Sequence, residues 1–272
     1  MSAGISTQNN TAAQGGQTEN LAGMQSVFIE HPDSNSPYIL VCDHASNRMP
    51  ESYNNLGLEP ALLNEHIAWD IRALDLARAI SALLHCPVVS PGFSRLLIDC
   101  NRSLDAPDLI PVKSEKYAIP GNNNLTADEK KYRIESYYLP YHQAIASLVE
   151  NRTMNKIPTA LIGVHTFTPV FLGISRPWQI GIIHDEDKRI AGPLYQELRQ
   201  LPDIVVGENE PYKPADGVYY TLSAHTQKFN LPGVMIEVRN NEVSSPSMLR
   251  KWASIIATTL TKTTEWKNQS HE

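Results

Sequence analysis

The stretch PYILVCDHASNRMP, residues 37–50, holds a short apolar run that is followed at once by an acid and a histidine. Residues 38–42 lie between Pro37 and Asn47, and an apolar run between such breakers predicts a buried strand. Ligands gather beyond the carboxyl ends of strands in open α/β sheets. His44 therefore stands where a functional site would be, although a histidine that only caps the turn explains this stretch equally well.

Similar apolar runs recur along the chain and alternate with helical patterns. We predict strands over residues 27–30, 38–42, 87–89, 96–100, 160–165, 178–183, 204–206 and 234–238. Helical patterns cover residues 67–84, 126–150, 187–201 and 246–266, with a further one at 218–229. This alternation predicts an α/β domain with helices on both faces of the sheet. The segment 99–124 is rich in Pro, Asn, Asp and Gly, and a loop of this length is often functional.

Composition excludes several kinds of partner. The net charge of -6 argues against a phosphate-backbone partner, so we expect no nucleic acid. No apolar run reaches the roughly 18 residues that span a membrane. Residues 1–25 lack an apolar block and basic residues, and we predict a flexible tail before a single domain at 26–268. The 3 cysteines show no metal spacing, which favours a reducing, cytoplasmic location.

Polar residues at three strand ends predict a metal site. His44 follows one strand, His165 closes TALIGVH, and Glu237 lies inside GVMIEVRN. A charge within a buried strand is costly unless it is paired or bound to metal. Two histidines and a carboxylate suit a Zn²⁺ site with an open position. A core histidine at His165 and an ion pair between Glu237 and Arg239 are the alternatives.

Two further segments carry candidate residues. HIAWD places His66 and Asp70 four residues apart, on one face of the predicted helix, where a structural or ligand-orienting hydrogen bond is favoured over metal binding. SRLLIDCNR contains Arg95 and ends in Asn101 and Arg102, and arginines could clamp a substrate carboxylate. His142 and His225 fit helix surfaces or pocket rims and receive no role.

Nine blocks of the sequence together resemble one known family. They are CDHASNRMP, HIAWDIRALDLA, SRLLIDCNR, IPGNNNL, YLPYHQAI, GVHTFTPV, RPWQIGII, VGENEPY and IEVRN, in chain order between about residues 36 and 255. The chain resembles the N-formylglutamate amidohydrolases, in particular their branch of predicted amidohydrolases. The resemblance implies a three-layer α/β/α sandwich around a mixed sheet, similar to zinc carboxypeptidases and aspartoacylases. It also implies Zn²⁺-dependent hydrolysis of a small N-acyl amino acid such as N-formylglutamate.

The resemblance also implies roles for residues of the matched blocks. His44 and His165 would be the metal histidines, and Glu237 the general base. In the carboxypeptidase pattern His-x-x-Glu, the fourth position is here Asn47, and an amide is a poor Zn²⁺ ligand. Asp70 is the first choice for the third ligand, because it is a carboxylate in a matched block. The reserves for that ligand are Glu65 and His66.

The resulting hypothesis is metal-assisted amide hydrolysis. Arg95 would stabilise the tetrahedral oxyanion, and the pair Asn101–Arg102 would hold the carboxylate of the substrate. A preference for an acidic side chain needs a second cation, for which Arg239 and Arg176 are the candidates. Two alternatives stay open: a non-catalytic binder that has lost tight metal binding, and a hydrolase of another N-acyl amino acid or small peptide.

Overall fold

The computed structural model describes residues 25–268, so the predicted N-terminal tail lies outside the described residues apart from Gln25. The strands are β1 Val27–Glu30, β2 Tyr38–Val41, β3 Val88–Pro91, β4 Lys113–Ser114, β5 Tyr117–Ala118, β6 Ala160–Phe167, β7 Val170–Phe171, β8 Ile174–Ser175, β9 Ile180–Ile183, β10 Val206–Glu208 and β11 Gly233–Arg239. The α-helices are α1 Ala73–Leu84, α2 Ala127–Arg133, α3 Leu139–Met154, α4 Ala191–Leu198, α5 Tyr220–Thr226 and α6 Pro246–Lys262.

Seven of these strands form one mixed sheet in the order β1-β3-β2-β6-β11-β9-β10. The strands β3, β2, β6 and β11 are parallel to one another, and β1 and β9 run antiparallel to their neighbours β3 and β11. The carboxyl ends of β2, β6 and β11 therefore lie at the same edge of the sheet. The mixed sheet that the resemblance implied is confirmed.

Helices cover both faces of this sheet. On one face Leu40, Ile162 and Ile236 pack with residues of α1, α4 and α6 in a continuous buried cluster. The neighbouring residues Ile39 and Leu161 belong to a second cluster with α3 and α5. Successive side chains of a strand point to opposite faces, so these fully apolar strands are buried on both sides. The α/β prediction with helices on both faces is confirmed.

Three predicted elements differ from the structure. Residues 96–100 form turns instead of a strand. Their apolar side chains are buried under the following loop, where Asp99 N donates to Leu109 O at 2.8 Å. The helix predicted from residue 67 begins only at Ala73, because Arg72 has a left-handed backbone with φ 70. The helix predicted over 126–150 is divided by a π-helical turn at Ile134–Tyr138.

Two small hairpins project from the loops that follow the central strands. β4 pairs with β5 inside the long polar segment, and β7 pairs with β8 directly after β6. Within residues 25–268, no helix is long and apolar enough to cross a membrane. The cytoplasmic location stays a prediction.

Candidate active site

Three neighbouring parallel strands bring the predicted polar residues together. His44 follows β2 by three residues, His165 lies in β6, and Glu237 lies in β11. Glu237 stands opposite His165 in the register of the β6–β11 pair. All three side chains are buried. The carboxyl edge of the sheet thus carries two imidazoles and a carboxylate, as the strand-end argument predicted.

Asp70 completes a cluster with the two histidines. Its Oδ2 lies 2.8 Å from His165 Nδ1 and 3.4 Å from His44 Nδ1. The backbone supports this position, because Asp70 N donates to His44 O at 2.9 Å. One potential ligand atom from each of these residues lies within 4.8 Å of the others. The cluster therefore has the two imidazoles and one carboxylate that suit a divalent metal ion.

Both imidazoles are oriented by a further carboxylate. His44 Nε2 lies 2.8 Å from Asp99 Oδ1, and His165 Nε2 lies 3.1 Å from Asp43 Oδ2. Metal-binding histidines typically donate their other ring N–H to a carboxylate in this way. With the hydrogen on Nε2, each Nδ1 turns a lone pair toward Asp70. Two such lone pairs and a carboxylate oxygen that converge on one point form a donor set that fits Zn²⁺.

The outer carboxylates are themselves fixed by hydrogen bonds. Tyr141 and Thr221 each donate a hydroxyl to Asp43 Oδ1 at 2.7 Å. Asn101 N donates to Asp99 Oδ1 at 2.8 Å. These bonds lock the imidazole planes, because each carboxylate can hold its histidine in one orientation only.

The buried carboxylates keep their charge despite desolvation. Burial alone would raise the pKa of Asp70, but attraction to His44 and the hydrogen bond with His165 hold it well below the usual value. Burial likewise opposes ionisation of Asp99, and electrostatic attraction to His44 and Arg95 lowers its pKa. This concentration of negative charge around two imidazoles favours a bound cation.

Glu237 behaves differently from these aspartates. Burial, which outweighs the attraction of His165, raises its pKa to about 7. Its Oε2 has no hydrogen-bond partner within the described part of the chain. A general base works best with a pKa near the operating pH. Glu237 lines the same pocket as the cluster and is suited to move a proton there.

The pocket has a volume of about 190 Å³, and besides the cluster and Glu237 its lining includes Arg95, Asn101 and Arg102, which also have predicted roles. Arg95 Nη1 lies 3.3 Å from both His44 Nδ1 and Asp70 Oδ1. The Asn101 amide is engaged in the protein, because its Oδ1 accepts from Thr221 N at 3.0 Å. Arg102 is held at the pocket wall by bonds to Asp108 Oδ2, Asn101 O and Gly217 O.

The two remaining predicted arginines are placed differently. The Arg176 guanidinium is stacked between Phe171 and Tyr212, 4.5 and 4.7 Å from their ring centres, and donates to the Tyr212 hydroxyl at 3.1 Å. Arg239 turns away from Glu237 and pairs with Glu242 at 2.8 Å. The structure therefore does not bring Arg239 to the pocket, nor does it form the Glu237–Arg239 ion pair that was the alternative.

The reserve metal ligands lie outside the cluster. Glu65 is exposed, and His66 Nε2 lies 3.2 Å from Glu115 Oε1 at the pocket wall. Residues 66–70 form turns, so the expectation that His66 and Asp70 share a helix face is wrong. Asn47 donates to Leu63 O at 2.9 Å and is directed away from the histidines. Of the candidates for the third ligand, only Asp70 lies in the cluster with His44 and His165.

Comparison with known proteins identifies the family. A sequence model of the N-formylglutamate amidohydrolases matches residues 36–243. The chain belongs to the N-formylglutamate amidohydrolase family. It is therefore a hydrolase that acts on amide bonds, and the family implies a small-molecule substrate. No curated protein matches the chain.

Two solved structures share this fold. The gene product Atu2144 from Agrobacterium tumefaciens is 36% identical, with a TM-score of 0.85 over 88% of this chain and 94% of that one. The N-formylglutamate amidohydrolase from Ralstonia eutropha is 18% identical, with a TM-score of 0.64 over 90% of this chain and 98% of that one. The second comparison supports the fold of the amidohydrolase.

Sequence reasoning gave no role to three residues of the amidohydrolase site. Asp43 and Asp99 orient the histidines, and Tyr212 lines the pocket. A signal existed for each, since Asp43 directly precedes His44 and the other two lie in the blocks SRLLIDCNR and VGENEPY. Nothing in the linear sequence indicates which of these polar residues face inward.

The pair of His142 and His225 was expected at helix surfaces or pocket rims. His225 is buried, and half-buried His142 stacks on it with ring centres 5.2 Å apart and His142 Nδ1 2.9 Å from His225 Nε2. Burial and the neighbouring His142 lower the pKa of His225 to about 4. Burial also lowers the pKa of His142, so both imidazoles favour the neutral form at pH 7.

Proposed function

We propose that the protein is a zinc-dependent amidohydrolase that cleaves the amide bond of an N-acyl amino acid, as in N-formylglutamate. The observation that carries this proposal is the convergence of His44 Nδ1, His165 Nδ1 and Asp70 Oδ2 beside Glu237. These three atoms would hold the metal, while Asp99 and Asp43 would keep the imidazoles in the required tautomer.

Each role follows from the position of the residue. Bound Zn²⁺ would supply Lewis acidity, which polarises a carbonyl and makes water a nucleophile near neutral pH. Glu237 accepts a proton from the attacking water and passes it to the nitrogen that leaves when the C–N bond breaks. Arg95 stands beside the cluster, where its charge stabilises the negative oxygen of the tetrahedral intermediate. The products are a carboxylate and a free amino acid.

Arg102 is the residue that we assign to the carboxylate of the substrate. Its guanidinium lies in the pocket wall, and its bonds to Asp108 and Gly217 fix it before any substrate binds. A fixed guanidinium loses little freedom when it binds a carboxylate. Asn101 would act indirectly, since its amide joins α5 to the segment that carries Arg102.

The test is hydrolysis of N-formyl and N-acetyl amino acids by the full chain. Release of free amine should depend on added zinc, stop after treatment with a chelator and return when zinc is restored. Glu237→Gln should bind zinc as the wild type does but release amine at least about 100-fold more slowly. Hydrolysis that continues unchanged in the chelator would contradict the proposal. A non-catalytic binder that has lost tight metal binding would bind the substrate without releasing amine and would not retain stoichiometric zinc.

A further inference from the structure

Two hairpins bring contrasting chemistry to the pocket. The hairpin β4–β5 contributes Ser114 and the acidic Glu115, and the hairpin β7–β8 contributes Phe171. The family name points to an acidic substrate, which would carry a second carboxylate. The two hairpins therefore influence whether the pocket suits an acidic or an apolar side chain of an N-acyl amino acid.

The hairpin β7–β8 extends an apolar wall out of the pocket. Phe167 and Phe171 line the pocket itself. Phe171 pairs across the hairpin with Ile174, and residues directly opposite in a hairpin share one face. Ile174 is 71% exposed and Leu172 at the turn is 68% exposed. Apolar surface thus continues from the pocket to the exposed end of this hairpin.

The hairpin β4–β5 places a negative charge in the pocket wall. The Glu115 side chain is only 15% exposed and lies beside His66. Its backbone has φ 49, a left-handed conformation that residues other than glycine rarely adopt. The hairpin is held in place, because Ile119 N donates to Val112 O at 2.9 Å. A second substrate carboxylate would meet this like charge.

The cations proposed for an acidic side chain are committed to protein partners. Arg176 is enclosed by Phe171 and Tyr212, and the Arg239 guanidinium bonds Glu242, Asn241 and the carbonyl of Arg176. Neither arginine lines the pocket, whereas Arg102 does. A dicarboxylate therefore gains little and is repelled by Glu115.

We infer that the substrate of this enzyme is an N-acyl derivative of an apolar amino acid, with one carboxylate and an aliphatic or aromatic side chain. This inference rests on the proposed function, because it places the α-carboxylate at Arg102. The apolar side chain packs against Phe167, Phe171 and Ile174. Glu115 disfavours glutamate-like substrates by like-charge repulsion, which raises specificity without adding affinity.

The experiment compares kcat/KM for N-formyl-leucine, N-formyl-glutamate and N-formyl-lysine on the zinc-loaded full chain. The wild-type kcat/KM should be at least about 10-fold higher for the leucine derivative than for the glutamate derivative. One apolar contact and one like-charge repulsion together can produce such a ratio. A preference for glutamate would overturn the inference. A preference for lysine would overturn it as well, because Glu115 would then select a cationic side chain.

Two variants separate the apolar wall from the charge. Ile174→Ser should lower kcat/KM for the leucine derivative about 5-fold and leave the glutamate derivative unchanged. Glu115→Gln should raise kcat/KM for the glutamate derivative about 5-fold and leave leucine unchanged. Met154→Ser and Glu265→Gln, exposed residues outside the pocket lining, are the matched controls.

The outcomes distinguish this inference from the proposed function. Hydrolysis of none of the three compounds, nor of their N-acetyl counterparts, refutes the proposed function and the inference with it. Hydrolysis without the leucine preference refutes the inference alone. Equal effects of Ile174→Ser on the leucine and glutamate derivatives would also refute it, since Ile174 would then not favour the apolar substrate.

Discussion

Removal of the carboxylate that orients His44 should weaken metal binding without removing a ligand. Asp99 Oδ1 lies 2.8 Å from His44 Nε2 and also accepts from Asn101 N at 2.8 Å. Asp99→Asn keeps the size of the side chain but removes the charge that favours Nε2–H and a basic Nδ1. Loss of such an orienting carboxylate typically costs 10- to 100-fold in metal affinity, or roughly 1.4–2.7 kcal/mol. We therefore expect the Zn²⁺ dissociation constant to rise by about that factor.

The assay is competition for Zn²⁺ against a chromophoric chelator at constant pH. Asp75→Asn is the matched control, since it removes an exposed carboxylate that pairs with Arg72 on α1, away from the pocket. The control should bind Zn²⁺ as the wild type does. An Asp99→Asn dissociation constant equal to that of the wild type would refute the tautomer argument, and with it the assignment of Nδ1 as the metal-binding atom of His44.

Three further predictions address the base, the carboxylate site and acid stability. Glu237→Gln should lower kcat by at least about 100-fold with zinc content unchanged, and near-normal turnover would make Glu237 structural. Arg102→Lys should raise KM for every N-acyl amino acid tested, because lysine cannot reproduce the planar fork, and an unchanged KM would place the carboxylate elsewhere. Burial lowers the pKa of His225 to about 4, so as the pH falls the unfolded chain binds a proton at this residue before the folded chain does. The free energy of unfolding therefore decreases as the pH drops from about 6.5 toward 4. The free energy of unfolding, measured with urea at pH 7 and pH 5, should decrease by about 2 kcal/mol less in His225→Gln than in the wild type. Equal decreases would contradict the lowered pKa of His225.

The sheet could be predicted from the sequence because its strands are apolar on both faces. Such apolar runs, for example residues 160–165, are easy to recognise because strand-breaking residues flank them. The run at 96–100 looks the same in the sequence but is buried by a loop, since burial alone does not require a partner strand. The local sequence pattern therefore predicted which residues are buried more reliably than it predicted their secondary structure.

The candidate site was predictable only in part. His44 and His165 follow from their places at strand ends, and their meeting follows from the parallel sheet. Arg239 lies two residues after Glu237, so the strand pattern predicts that both face the same side of the sheet. However, Arg239 is the last residue of β11, and its side chain pairs with Glu242 three residues later. The contacts of Asp43 and Asp99 join residues that are 122 and 55 positions away in the chain. Pairings over such separations depend on the fold and have no local sequence pattern.

The zinc content of the full chain, purified without added metal or chelator, tests the central claim most directly. The wild type should contain about one zinc ion per chain. His44→Ala and His165→Ala should lose most of it, whereas His66→Ala should keep it, because His66 lines the pocket but lies outside the cluster. Full zinc occupancy in both His44→Ala and His165→Ala would contradict the account.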